Sequence, residues 1–401
     1  MAGKGRLANY ELLRVLAMVM VVIMHFLSHS DSLIVLDMPL SVVRIVGSLL
    51  EAFCLVAVNV YLLISGYFGV KGSFKPSRAV SLLCQIWFYA LLIPVVLKLS
   101  DVSILVEQQG IYGLIQYLLP VETEHYWFAT SYFMLYLLMP VLNKAVQGMT
   151  RRQYEIILGG LLILFCMIKS FSPVVFAFDR YGYDLPWFIC VYLLAAYFGL
   201  YGEEAFDGGS QDLLSRGFAQ FTGFVKKRGW IVYVLSCLGS FCIQLLMWKL
   251  SQKWDGFAYY FSVPYHYNFV LCLTGAIGLF FSFSKVKIKE GRGTDIIRGL
   301  GTLCFGIYLL HEHIDLRYQW YEWLAGMVNP GQEEGLAFFL AELLFCVAVL
   351  FVAGIMIDFI RNKLFASLAA GLQNTRIGRW LHQLDREMDG KGRTDEQKYD
   401  K

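Results

Sequence analysis

The chain has 401 residues, 57% of them hydrophobic and 16% charged, with a mean hydropathy of +0.55. Its apolar residues fall in long blocks, which excludes an ordinary soluble enzyme and points to a multi-pass membrane protein. A net charge of +3 is small and gives no sign of nucleic-acid binding, and no nucleic-acid partner is expected. The nine cysteines form no CxxC pair, so they read as buried thiols rather than as disulfides or a zinc site.

Ten blocks are each near the ~20 residues a bilayer requires. The first, over 10–29, contains "LLRVLAMVMVVIMHF", with Arg14 and His25 eleven residues apart. Eleven steps of ~100° make three turns plus ~20°, so the two side chains share a face about 16 Å apart along the axis. Arg14 alone reads as a snorkelling anchor, and His25 alone as a packing residue. Together they read as two ends of one elongated site. A short basic start precedes the block, but no small-x-small cleavage site follows, so a retained span is expected rather than a signal peptide.

The second block, 42–69, ends in Ser65-Gly66-Tyr67, followed by Lys71, Lys75 and Arg78. These cations read as ordinary flanking charge or as a phosphate clamp beside Arg14. The third block covers 79–99. Residues 102–119 read as an interfacial or re-entrant helix. The fourth block, 126–147, opens at "EHYWF", where Trp127 reads as an interfacial anchor and His125 as a polar contact for an outside ligand.

Blocks at 154–170 and 184–201 come next, then a loop over 202–228 that runs from acidic to basic. Blocks at 229–250 and 262–283 precede the ninth, 299–318. Its stretch "CFGIYLLHEHID" places Tyr308 and His311 three apart on one helical face. The polar residues after His311 predict a break or a water-facing end. Adjacent residues of the His-Glu-His run point in different directions, so no metal site is expected. The tenth block is 336–361. Glu51 and Glu342 are lone acids in the second and tenth blocks, and either could orient a histidine.

If the N-terminus is cytosolic, the inside segments hold 26 of the 34 Lys and Arg, and the outside segments hold 7. The bias predicts an all-α polytopic bundle of about ten spans with both termini in the cytosol. Residues 1–361 form one transmembrane domain; 362–401 form a polar cytosolic tail, partly disordered. No P-loop or GxGxxG motif is present.

An arginine fork suits phosphate, and the pantetheine arm of coenzyme A is about as long as the gap between Arg14 and His25. A nucleotide held near Arg14 would thus place its thioester near His25. Several ordered elements together resemble the membrane-bound acyltransferase-3 family. They are Arg14-x10-His25, Ser65-Gly66-Tyr67, the basic Lys75 and Arg78, Trp127-Phe128, and Phe305-x-x-Tyr308-x-x-His311. Cys304 stands where the family usually has serine.

The resemblance implies an O-acyltransferase that moves an acyl group, commonly acetyl, from cytosolic acyl-CoA to a hydroxyl of an envelope glycan or lipid-linked sugar. It implies a bacterial cytoplasmic membrane and no tightly bound cofactor or metal. On it, His25, His311 and Tyr308 are catalytic candidates, and Arg14, Lys75, Arg78, Ser65, Gly66 and Tyr67 donor-binding candidates. His125, Trp127, Glu51 and Glu342 are acceptor-binding candidates. Some relatives carry a fused extracytoplasmic esterase-like domain; without one, a separate extracytoplasmic partner is implied. A flippase for a sugar-linked lipid is the alternative reading, because it too needs polar residues along a central path.

Overall fold

The computed structural model describes residues 6–172, 180–202, 213–331 and 334–389, and these are helical with no strand among them. In chain order the helices begin with α1 Ala8–His29, α2 Val42–Cys54, α3 Ala57–Gly69, α4 Pro76–Leu99, α5 Leu105–Gln109 and α6 Ile111–Leu118. There follow α7 Trp127–Gln147, α8 Arg151–Leu162, α9 Lys169–Phe171, α10 Leu185–Tyr201, α11 Leu213–Ser251 and α12 Ala258–Ser262. The last are α13 Val270–Ser284, α14 Arg292–His311, α15 Trp320–Val328, α16 Leu336–Leu372 and α17 Arg376–Met388.

Among the described residues, eight helical stretches are long and apolar enough to cross a membrane by length and composition, and α10 is a shorter apolar helix. Side chains fix several of the ends. The Ser41 hydroxyl accepts the Arg44 N–H at α2, and the Asp184 carboxylate accepts the Trp187 N–H at α10. Thr150 and Gln153 form a capping box at α8. The first turn of α4 is capped by Asp385 of α17, which accepts the Ser77 N–H and hydroxyl at 3.0 and 2.6 Å.

Three features differ from a plain reading of the blocks. The block over 42–69 is interrupted between α2 and α3. The carbonyls released at this break find partners on neighbouring helices: Tyr233 Oη donates to Phe53 O at 2.8 Å, and Cys272 Sγ lies 3.8 Å from Leu55 O. In a bilayer such recovery is required, because no water satisfies a freed carbonyl there. Next, the expected loop 202–228 is helical from Leu213, since Leu214 and Phe218 have an apolar surface to cover at Gly159. Residues 203–212 lie outside the described residues, as do 390–401 of the tail; α16 and α17 carry the described part of that tail. Finally, the ninth block begins earlier than expected, at Arg292, and its helix stops at His311. Residues 312–319 form a bend before α15.

The core sits where α1, α3, α10, α13, α14 and α16 pack together. Gly66 is a close approach of α3 to α10. A Cβ there would collide with the Tyr192 carbonyl and sit 2.7 Å from Ala195 Cβ. Small residues of this kind let membrane helices touch backbone to backbone. Gly66→Leu is therefore expected to destabilise the fold by about 1–3 kcal/mol, read as a lower unfolding temperature in detergent. An unchanged temperature would mean the two helices can separate freely.

Candidate functional site

The arginine end of the site is built on the first turns of α1. Glu11 is 2% exposed and pairs with Arg14 one turn on, while Arg6 Nη1 lies 3.4 Å from its Oε2. A buried carboxylate needs such partners, because leaving it unpaired costs several kcal/mol. Gly301 of α14 makes the room: a Cβ there would meet the Glu11 carboxylate. Tyr61 of α3 donates to the Arg14 carbonyl at 2.7 Å and ties this turn to the bundle. One carboxylate between two guanidinium groups leaves a net positive charge facing the space above.

That space is a cavity of about 260 Å³ lying between α1, α3, α4, α7 and α14. Arg6 and Arg14 line one part of it and His25 another, with Ser65, Gln85, Trp127, Phe128 and Tyr308 among its walls. The helical spacing of Arg14 and His25 does place both against one cavity. Much of the remaining wall is apolar, including Met18, Met24 and Phe305, with Tyr61, Tyr132, Tyr267, Thr302 and Cys304 as further polar groups.

At the deep end, His25 Nδ1 and His311 Nε2 are 2.8 Å apart, and His311 Nδ1 is 2.6 Å from the Ile307 carbonyl. A carbonyl only accepts, so His311 carries its proton on Nδ1 and offers a bare Nε2. His25 must then donate from Nδ1, which leaves the lone pair of its Nε2 free. The His25 side chain is 22% exposed, whereas His311 is fully buried. The relay therefore ends on the one nitrogen that a ligand in the cavity can reach. Glu312 Oε1 lies 3.4 Å from that same Nε2, close enough to stabilise the ring when it takes a proton.

His25, His311 and Glu312 offer ligand atoms within 4.8 Å of one another, so a metal ion needs consideration. Two imidazole nitrogens on one tetrahedral zinc stand about 3.3 Å apart, with bonds of about 2.0–2.1 Å. The observed 2.8 Å is a hydrogen-bond distance, and His311 Nδ1 is already committed to a carbonyl. The arrangement fits a proton relay better than a metal centre.

Tyr308, one turn before His311, is 4% exposed and lines the cavity. Its hydroxyl oxygen accepts the Phe128 N–H at 3.2 Å at the start of α7. The phenolic hydrogen remains available to donate. Ser65 donates to the Tyr61 carbonyl at 2.8 Å and lies 3.3 Å from Tyr132 Oη. Cys304 also lines the cavity, with its thiol 3.3 Å from the Leu300 carbonyl.

Other candidates sit elsewhere. Lys75 precedes α4 and its carbonyl accepts from Tyr136 at 3.2 Å; Arg78 is exposed; neither lines the cavity. Gly66 faces α10, and Tyr67 packs on Tyr10 and Phe280. His125 is buried outside the spans, with Nδ1 3.2 Å from the Gln116 carbonyl and Nε2 accepting the Ile314 N–H at 3.3 Å. Burial pushes its pKa down to about 3, so the ring is neutral and fully used. It steadies the bend that carries Glu312. Glu342 accepts from Asn329 at 2.7 Å and lines a separate cavity beside His29, Tyr318 and Tyr321. Glu51 lies on α2, outside the walls of either cavity.

The acid beside His25 is thus Glu312, which adjoins His311 in sequence. Glu11, Arg6 and Gln85 are the other site residues that the sequence reading passed over. For Glu11 a signal existed, since an acid three residues before Arg14 is a helix-face pair. For Gln85 there was none.

A family model described as an acyltransferase domain matches residues 7–358. No curated protein and no solved structure matches the chain.

Proposed function

The chain belongs to the acyltransferase-3 family, and from that premise we propose that this membrane acyltransferase moves an acetyl group from acyl-CoA to a hydroxyl of a glycan or lipid-linked sugar. The observation that carries the mechanism is the Ile307–His311–His25 relay, which leaves His25 Nε2 unprotonated toward the cavity. The donor enters at the Arg6–Arg14 end, where guanidinium groups suit its phosphates. Its arm runs along the apolar wall and brings the thioester to His25.

His25 Nε2 takes the proton of the acceptor hydroxyl as the oxygen attacks the thioester carbon. Negative charge develops on the carbonyl oxygen, and the Tyr308 hydroxyl donates to it. The tetrahedral species collapses, the C–S bond breaks, and the thiolate takes the proton back from His25. Glu312 stabilises the imidazolium between these two steps. In the alternative order of events, Nε2 itself attacks and carries the acyl group before passing it on. An acetyl-imidazole trapped on His25 by acid quench would select that order.

The test is to incubate the purified, reconstituted protein with [1-14C]acetyl-CoA and a panel of neutral oligosaccharides and polyprenyl-linked sugars. Release of free thiol together with label in a sugar ester is the expected result. Label in no acceptor, with thiol release at the background rate, would overturn the reading.

Arg14→Ala is expected to raise the KM for acetyl-CoA about 10- to 100-fold, the range of one lost charge-assisted hydrogen bond. The KM for the acceptor should stay near its original value. An unchanged KM for the donor would remove Arg14 from the phosphate site.

A further inference from the structure

Between the arginine end and the histidine end of the cavity stands a polar side chain that the mechanism does not use. Gln85 of α4 lines the cavity. Its amide meets Asp358 of α16, with Nε2 3.0 Å from Oδ1. Asp358 is fully buried in a helix long and apolar enough to span a membrane. Arg361 holds it with two bonds, of 2.6 and 2.9 Å, and Tyr89 Oη donates at 3.1 Å. A carboxylate paired twice with a guanidinium is ionised and only accepts. Gln85 must therefore turn its NH2 group to Asp358. Its carbonyl oxygen is left over, and it accepts no hydrogen bond among the described residues.

The level of this oxygen along the cavity can be read on α14. Gly301 faces Glu11, at the arginine end. Gly306 faces Asp358: a Cβ there would collide with that carboxylate. His311 faces His25. At ~1.5 Å per residue these levels are about 7.5 Å apart each. Gln85 is held at the middle one.

We propose that Gln85 is a binding subsite for a secondary amide N–H of the donor's pantetheine arm, with Asp358 and Arg361 as the groups that keep its carbonyl turned to the cavity. The inference rests on the acyl-CoA reading. The pantetheine arm carries two secondary amides between thioester and phosphate, so a donor stretched from His25 to Arg14 brings N–H groups to this level. An amide entering the cavity unpaired would lose its water hydrogen bonds without replacement. A thioester without amides has no use for Gln85.

The experiment compares acetyl-CoA with S-ethyl thioacetate, which has the same reacting group and no amide. Gln85→Met keeps the length of the side chain and removes the acceptor; Gln85→Leu is the second variant should the first fail to fold. The expected result is a KM for acetyl-CoA raised about 2- to 10-fold, the range of one neutral hydrogen bond. The kcat should be nearly unchanged, and kcat/KM for S-ethyl thioacetate should equal that of the unmodified protein. Equal losses on both thioesters would mean that Gln85 only shapes the bundle, and an unchanged KM on acetyl-CoA would mean no contact. Either result overturns the proposal while leaving the acyl-CoA reading intact. No thioester cleavage by the unmodified protein would instead overturn both.

Discussion

His25→Ala is expected to lower the rate of acetyl transfer from acetyl-CoA by about 10²–10⁴-fold, the range lost with a positioned general base. The effect should fall on kcat, because the arginines and the apolar wall that hold the donor are untouched. His311→Ala should also lower kcat, since His25 would no longer be held to the tautomer that bares Nε2. The two losses are expected to be non-additive: with His25 gone, His311 has nothing left to orient, so the double variant should match the single His25 variant. The rates of the four proteins, measured by thiol release at saturating acetyl-CoA, check this. A His25→Ala protein that acylates at the original rate would move the chemistry elsewhere. Additive losses would mean that His311 acts independently of His25.

Tyr308→Phe is the second large effect. Removing one donor aimed at a developing oxyanion is expected to cost about 10²–10³-fold in kcat. The packing should survive, because the ring still lies against Phe128 and Phe305. The hydroxyl also accepts the Phe128 N–H, whose loss costs some stability, so an unfolding temperature accompanies the rate. A fall in kcat with little change in KM for acetyl-CoA marks a contact made in the transition state. A rise in KM alone would place Tyr308 against the ground-state donor or acceptor instead.

Much of the helical layout was legible because a bilayer is a demanding solvent. A segment that crosses it must be about 20 apolar residues and must satisfy its own backbone. The blocks accordingly reappear as largely helical stretches, eight of those described long and apolar enough to cross, with the second interrupted between Cys54 and Ala57 and the eighth continuously α-helical only from Val270. What escaped the block reading depends on neighbours. The helical residues from Leu213 cover the surface at Gly159, and the break after Cys54 is tolerated because Tyr233 and Cys272 reach its carbonyls. Neither partner is near in sequence.

The site divides in the same way. That Arg14 and His25 share a face follows from helical periodicity alone, as does the pairing of Tyr308 with His311 on another helix. Family motifs added Ser65, Trp127 and Phe128, which line the cavity, and also Lys75, Arg78 and Tyr67, which do not. A motif records which residues recur together, not which way each one points.

Composition, block length and periodicity determined by themselves that this is a helical membrane protein with an arginine and a histidine on one face of its first span. These are properties of single segments, set by the bilayer and by the pitch of the helix. Only the tertiary structure decided that Glu312 rather than Glu51 or Glu342 stands beside His25, that Ile307 fixes the tautomer, and that Asp358 turns Gln85. The Glu312 and Asp358 contacts join different helices, and the Ile307 bond, made within α14, matters only because His311 meets His25 of another helix. Hydrogen bonds reach about 3 Å, and no spacing along the chain specifies a distance that short between separate helices.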